Sequence, residues 1–208
     1  METILLNLRD QNLYSKHIET AARALRAGQL VAFPTETVYG LGANRDDLKA
    51  VERIYQIKRR IEEKKLTLMI ADLDDAKKYV DHFSNTAQRL MESFWPGALA
   101  IIFPLMDGSD ISIRFPDNTA ARDLIRAAKV PVVTTSANIS GYPPSTDAQQ
   151  VLMDFRGKIP IILDGGSTRF RSPSTVLRLK DDTFEILRHG IISEAMIRSC
   201  LEKSLIKA

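Results

Sequence analysis

Leu30-Val31-Ala32-Phe33-Pro34-Thr35-Glu36-Thr37-Val38-Tyr39-Gly40-Leu41-Gly42 runs from a short apolar segment through a proline into polar and hydroxyl-bearing residues and two glycines. The pattern predicts a buried strand over 30–33 that stops at Pro34, then a turn whose glycines lead into a helix. In an open α/β sheet, ligands are held where strands end. The polar residues after Phe33 are therefore candidates for a site, and the same kind of strand exit recurs along the chain.

Upstream, Ile18, Ala21, Ala22 and Leu25 share one face of a predicted helix over 17–27, with Gly28 as its stop. Downstream, Leu48, Val51, Ile54 and Tyr55 make a second amphipathic helix. It delivers Lys58-Arg59-Arg60 at its C-terminal end, where cations suit the helix dipole. Further helices are expected over 74–80, 87–94, 120–128, 148–155 and 192–206, and strands over 66–70, 99–103, 111–115, 130–133, 159–163, 176–179 and 184–187. Trp95-Pro96-Gly97 reads as a packing corner. The other polar exits are Arg114 before Phe115-Pro116, the run 134–141 rich in Thr, Ser and Asn, Ser174-Thr175, and Arg188-His189-Gly190. Their recurrence around one sheet points to a polar cleft in a single α/β domain spanning 1–208, with its motif-bearing core at about 15–190 and a closing helix at about 192–206.

At 208 residues and 44% hydrophobic, the chain can bury a sizeable core. No apolar run approaches the roughly 18 residues that span a bilayer, and the first ten residues mix charges without a secretory pattern. A soluble, cytoplasmic protein is expected. Lys plus Arg outnumber Asp plus Glu by 29 to 26, which argues only weakly for a nucleic-acid partner. Cys200 is alone, and His17, His82 and His189 lack metal-ligand spacing, so neither a disulfide nor a protein metal site is expected.

The sequence contains no Gly-x-Ser-x-Gly elbow, no cysteine near a histidine, no paired carboxylates in a polar exit, no Walker A run and no Gly-x-Gly-x-x-Gly. The exits offer Thr, Ser, Asn, Lys and Arg. Such groups bind phosphate or carboxylate, and they catalyse by positioning and by stabilising developing negative charge.

Taken in order, Pro34–Gly42, Lys58-Arg59-Arg60, Phe94-Trp95-Pro96-Gly97, Ile113-Arg114-Phe115-Pro116, Thr135-Ser136-Ala137-Asn138-Ile139-Ser140-Gly141, Ser174-Thr175-Val176 and Arg188-His189-Gly190 resemble the YrdC/TsaC family of L-threonylcarbamoyladenylate synthases, over about 29–190. The resemblance implies a twisted mixed or parallel sheet flanked by helices around a central, positively charged cleft. It also implies a nucleotidyltransferase that joins L-threonine, bicarbonate or CO2, and ATP into threonylcarbamoyl-AMP and pyrophosphate. The product would feed the threonylcarbamoyl modification of adenosine in tRNA through a separate transferase complex. Magnesium would arrive on the triphosphate, held by phosphate oxygens and water.

By the same resemblance, Thr35, Tyr39, Arg114, Ser174 and Thr175 face threonine or its carbamoyl product, with Arg114 gripping the carboxylate. Lys58 and Arg60 hold phosphates and offset charge as pyrophosphate leaves. Ser136, Asn138, Ser145 and Arg188 bind the nucleotide, and Glu36 caps or orients its loop. The chain departs from the family after Arg60, where Ile61-Glu62-Glu63-Lys64-Lys65 replaces the usual proline-containing loop, so a more mobile or helical segment is expected. Leu66-Thr67-Leu68-Met69-Ile70 is similar to the YciO-like branch, whose activity can differ. With only about 18 residues after Gly190, the chain reads as the short form without the extra C-terminal domain of longer members. A different class of reading is a module that binds tRNA or double-stranded RNA through Lys64, Lys65, Arg169 and Arg171.

Overall fold

The computed structural model describes residues 1–61, 65–180 and 183–202. Its elements alternate along the chain as β1 (Ile4–Asn7), α1 (Tyr14–Arg26), β2 (Val31–Phe33), β3 (Gly40–Asn44), α2 (Leu48–Lys58), β4 (Thr67–Met69), α3 (Asn85–Phe94), β5 (Leu99–Pro104), β6 (Asp110–Arg114), α4 (Thr119–Ala128), β7 (Val132–Ser136), α5 (Ala148–Phe155), β8 (Ile161–Asp164), β9 (Thr175–Lys180), β10 (Thr183–Arg188) and α6 (Glu194–Glu202). A 3-10 helix over Leu73–Lys78 precedes α3. The strands form one ten-stranded sheet in the order β1-β8-β2-β3-β7-β4-β6-β5-β9-β10. It is mixed: β2 pairs β8 and β5 pairs β9 in parallel, whereas β2 with β3 and β3 with β7 are antiparallel. The expected mixed sheet flanked by helices is thus present.

Two strands escape the sequence pattern. β1 lies at the edge beside β8, with its two end residues exposed and the two between them half-buried. β3 occupies 40–44, where a turn into a helix was expected: Gly40 pairs with Phe33, and Gly42 with Val31, so the opening stretch is an antiparallel hairpin. Both glycines sit under the Phe33 ring. A Cβ on Gly42 would lie 2.9 Å from Phe33 Cε1 and 3.2 Å from Val132 Cγ1, so the close approach these glycines permit is to the core. β7 also runs three residues further than its apolar run, through Thr134, Thr135 and Ser136, because β3 supplies ladder partners to all three and β4 to Thr134.

Register sorts the side chains, since successive residues of a strand face opposite sides. One face carries the aligned row Val133, Leu68, Ile113, Ile101 and Leu177. α3 and α6 cover this part, and α2 and α5 cover Ala32, Leu41 and Ile162 further along. On the opposite face, α1 and α4 pack over Val31, Phe33, Val132, Met69 and Leu163. Beyond them the row continues as Thr134, Thr67, Ser112, Ile102 and Arg178. Thr67 Oγ1 and Ser112 Oγ share a hydrogen bond of 3.0 Å. The sheet is therefore apolar where helices cover it and polar where none does.

The C-terminal helix is described to Glu202, and the expected extension over 203–206 lies outside the described residues. So do residues 62–64 of the segment after Arg60. Before them, α2 ends at Lys58 and Arg59 turns the chain with φ 51°, in the left-handed conformation.

Candidate active site

A cavity opens on the polar face of the sheet. Its walls are Thr35, Val38, Tyr39 and Gly40 from the hairpin, Thr67 and Met69 from β4, Arg114 from the end of β6, Thr134 to Ser136 from β7, Pro173 and Ser174 before β9, and Arg188 from the end of β10. Arg188 also borders a wider recess of about 530 Å3, lined by Arg60, Lys65, Asp110, Ser112 and Arg178. Sequence-expected residues thus meet from five separate strand ends.

The hairpin loop is fixed from within. Thr35 Oγ1 donates to Val38 O at 2.7 Å and accepts from Thr37 N at 3.2 Å, a local turn of the kind hydroxyl side chains favour. Next to it, Arg114 donates through Nε to Gly97 O at 3.1 Å and through Nη2 to Glu36 Oε1 at 2.7 Å and Thr37 Oγ1 at 2.9 Å. Arg114 and Glu36 are 5% and 3% exposed, so this ion pair is sealed from water. Nη1 makes no hydrogen bond to the described residues, and it belongs to a side chain that lines the cavity. Glu36 and Thr37 are the parts of this arrangement that motif reading underweights. The alternation Ile111-Ser112-Ile113-Arg114 does contain the signal for Ser112 and Arg114 sharing the polar face.

Lys58 does not line the cavity. Its side chain is 1% exposed, and Nζ donates to the carbonyls of Ser136 and Asn138, while Lys58 O accepts from Ser140 N at 2.9 Å. The end of α2 thereby clamps the loop after β7. Burial, followed by the nearby Arg60 charge, pushes the Lys58 ammonium down to about 7, and Asp154 opposes the shift. Arg60 borders the wider recess, donates from Nη2 to Lys65 O at 3.1 Å, and is itself lowered mainly by burial.

Ser136 reaches the cavity, whereas Asn138 and Ser145 sit behind it. Asn138 Nδ2 donates to Ile139 O at 2.9 Å and Tyr142 O at 2.7 Å, leaving Oδ1 buried without a partner among the described residues. Ser145 Oγ donates to Ala137 O at 2.6 Å, and Ser145 O accepts from Tyr39 N at 2.9 Å. Tyr39 contributes to the wall, but its hydroxyl points away: it donates to Gly166 O at 2.8 Å and accepts from Gly165 N at 3.2 Å. Burial and the nearby Asp164 charge raise its pKa.

Ser174 stays with the cavity and Thr175 leaves it. Arg188 donates to Ser174 O from Nε at 3.0 Å and from Nη2 at 2.8 Å, and to Ser174 Oγ at 3.0 Å. Part of the Arg188 side chain is open to solvent, yet its guanidinium is packed deeply enough that burial, with the Arg114 and Arg60 charges, holds it down to about 10. Arg114 and Arg188 line the same cavity, and Arg60, on the adjoining recess, is near enough for its charge to act on Arg188. Thr175 points to the other side of β9, donating to Ile192 O at 2.6 Å and accepting from Ile192 N at 3.0 Å. Its hydroxyl ties the C-terminal segment to the sheet and is not presented to the cavity.

The arrangement supplies hydroxyl donors and acceptors on one wall and cations on the other, as a ligand carrying carboxylate and phosphate would require. A family model described as "Telomere recombination", Sua5_yciO_yrdC, matches residues 23–190. A Bacillus subtilis protein named threonylcarbamoyl-AMP synthase is 40% identical over 194 residues, covering 88% of this chain and 56% of the relative. Pyrococcus abyssi Sua5, solved in complex with L-threonine, superposes with a TM-score of 0.88 at 37% identity, covering 96% of this chain and 61% of that one. Escherichia coli YciO superposes with a TM-score of 0.80 at 27% identity, covering 92% of this chain and 97% of that one. The chain spans little more than half the length of the first curated relatives it matches. With the motifs, sheet order and family model in agreement, the chain belongs to the Sua5/YciO/YrdC family.

Proposed function

We propose that the chain is an L-threonylcarbamoyladenylate synthase, a nucleotidyltransferase acting on L-threonine, bicarbonate or CO2, and ATP. The observation that carries this reading is the match, over 96% of this chain, to a structure solved with L-threonine. The substrate amine adds to CO2, forming an N–C bond and releasing a proton. A carbamate oxygen then attacks the α-phosphorus, and the bond to pyrophosphate breaks.

Each cavity group has work in that sequence. The fixed Arg114 guanidinium offers Nη1 to the threonine carboxylate, and Thr35 and Ser174 supply hydroxyls nearby. Tyr39 shapes the wall through its ring and backbone, and Thr175 supports Ser174 from the opposite side of β9. Ser136 and Arg188 meet the nucleotide. Arg60 and Arg188 lie where negative charge grows on the departing pyrophosphate, and preorganised donors there lower the barrier without reorganising. Lys58 adds to this charge by exchanging one loop carbonyl for a phosphate oxygen. Asn138 presents Oδ1 as an acceptor for the nucleotide, while Ser145 holds the loop behind it.

Magnesium enters with the nucleotide. Glu36, the carboxylate of the hairpin loop, is held by Arg114 behind the cavity wall, so phosphate oxygens and water would hold the ion. The product would pass to a transferase complex acting on tRNA in the cytoplasm; no described helix is long and apolar enough to cross a membrane. The test is pyrophosphate release from ATP. It should require both threonine and bicarbonate, and an equal rate without threonine contradicts the assignment.

A further inference from the structure

Arg188 reaches the site through an irregularity of its strand. In the β9–β10 ladder Ile186 pairs with Leu177 but Arg188 pairs with Val176, so Leu187 is an extra residue and the ladder carries a bulge. Regular alternation from Ile186, which packs on the apolar core that holds Leu177, would return Arg188 to that same face. The bulge sets it instead opposite Val176, which lines the wider recess on the polar face. Bulges beside active sites commonly re-aim a side chain in this way. Among the described residues, Arg188 is the one that lines both the substrate cavity and the wider recess.

All side-chain hydrogen bonds of Arg188 to described residues run to Ser174. Nε and Nη2 donate to Ser174 O at 3.0 Å and 2.8 Å, and Nη2 donates to Ser174 Oγ at 3.0 Å. Because Ser174 Oγ accepts from Arg188, its own hydrogen is left to donate, and no described residue takes it. Thr175 pairs with Leu99 on the core face, so Ser174, one residue earlier, belongs to the face of the cavity it lines. An acceptor in the cavity would therefore complete a chain running from Arg188 through the Ser174 hydroxyl to the ligand. A hydroxyl that donates becomes a stronger acceptor, and such chains tighten cooperatively. On the recess side, Arg188 stands with Arg60, Lys65 and Arg178, a lining suited to phosphate.

We propose that Arg188 is a positioning residue for Ser174 and, through it, couples the two pockets, so that a ligand accepting from Ser174 in the cavity favours phosphate binding in the recess, and the reverse. The first ligand fixes the guanidinium, and the second finds it already ordered. The identity of the two ligands, threonine and ATP, rests on the proposed synthase reading.

The test is calorimetric titration of L-threonine into the full chain, with and without magnesium and α,β-methylene-ATP, which cannot release pyrophosphate. The analogue should lower the threonine dissociation constant about fivefold or more, and saturating threonine should lower that of the analogue by the same factor. Arg188→Lys keeps a cation but loses the fork that holds Ser174 O and Oγ together. Ser174→Ala keeps the bonds to the backbone carbonyl and loses the hydroxyl. In both variants the ratio of threonine dissociation constants without and with analogue should fall toward one, beyond any loss in the separate affinities. Ser174→Ala decides the matter alone if Arg188→Lys does not fold. An unchanged or raised threonine dissociation constant in the wild type overturns the proposal. So does a ratio that survives in either folded variant, since the ligands would then be meeting directly. Failure of threonine to bind the wild type in either condition contradicts the synthase reading, and the coupling falls with it; threonine binding without coupling removes the proposal alone.

Discussion

Arg114 Nη2 lies 2.7 Å from Glu36 Oε1, joining the end of β6 to the β2–β3 hairpin through a pair whose side chains are 6% and 2% exposed. Removing one partner strands the other as a buried charge, which typically costs about 3–5 kcal/mol. Arg114→Ala should lose stability on that scale in denaturant titration, and adding Glu36→Gln should recover part of it. Equal stability of the single and double variants would contradict the pairing. In the gentler Arg114→Lys variant, the lost planar fork should raise the KM for threonine more than that for ATP.

Lys58 makes a pH-dependent contribution. Burial holds its ammonium near 7 in the fold, whereas an unfolded chain keeps this proton up to about 10.4. Between those values the unfolded state binds the extra proton, so stability rises with pH. The Tm of the wild type should therefore gain on that of Lys58→Met as pH is raised from 7 to about 9. A constant difference across the window would show that Lys58 titrates normally.

Thr175 is expected to act on stability and not on threonine recognition. Its hydroxyl both donates to and accepts from the Ile192 backbone, and Thr175→Val leaves those groups unpaired at about 1–3 kcal/mol. Denaturation should register the loss while isothermal titration finds threonine affinity unchanged. Weaker threonine binding at unaltered stability would return Thr175 to the cavity.

Gly42 tests the hairpin. Alanine there would press its Cβ against Phe33 and Val132, at 2.9 Å and 3.2 Å from their nearest atoms. Overpacking of this kind costs about 1–3 kcal/mol, readable as a lowered Tm. A neutral Gly42→Ala would mean that the Phe33 ring moves aside freely.

Periodicity disclosed the helices and most strands because their apolar faces are long enough to repeat. β3 was hidden because Gly40 and Gly42 carry no side chain to mark the Phe33 side, leaving Leu41 and Ala43 as an incomplete alternation. β1 is a short edge strand with exposed ends, too brief to show a pattern. Within the site, Thr35, Ser136, Ser174 and Arg188 are placed on the cavity by strand ends that the sequence marks with proline or polar runs. The destinations of the Lys58, Ser145 and Thr175 polar atoms depend on backbone groups that arrive from distant segments. No local pattern records those partners. Glu36 is the sharpest instance: its neighbours suggest a turn, and only the arrival of Arg114 from β6 makes it part of the site.

The most direct measurement is mass spectrometry of the product formed from ATP, L-threonine and isotopically labelled bicarbonate. The account predicts a single adduct containing AMP and threonine that carries the bicarbonate label, formed together with pyrophosphate and absent when threonine is omitted. Pyrophosphate release with no labelled adduct, or an adduct lacking the bicarbonate carbon, would contradict it.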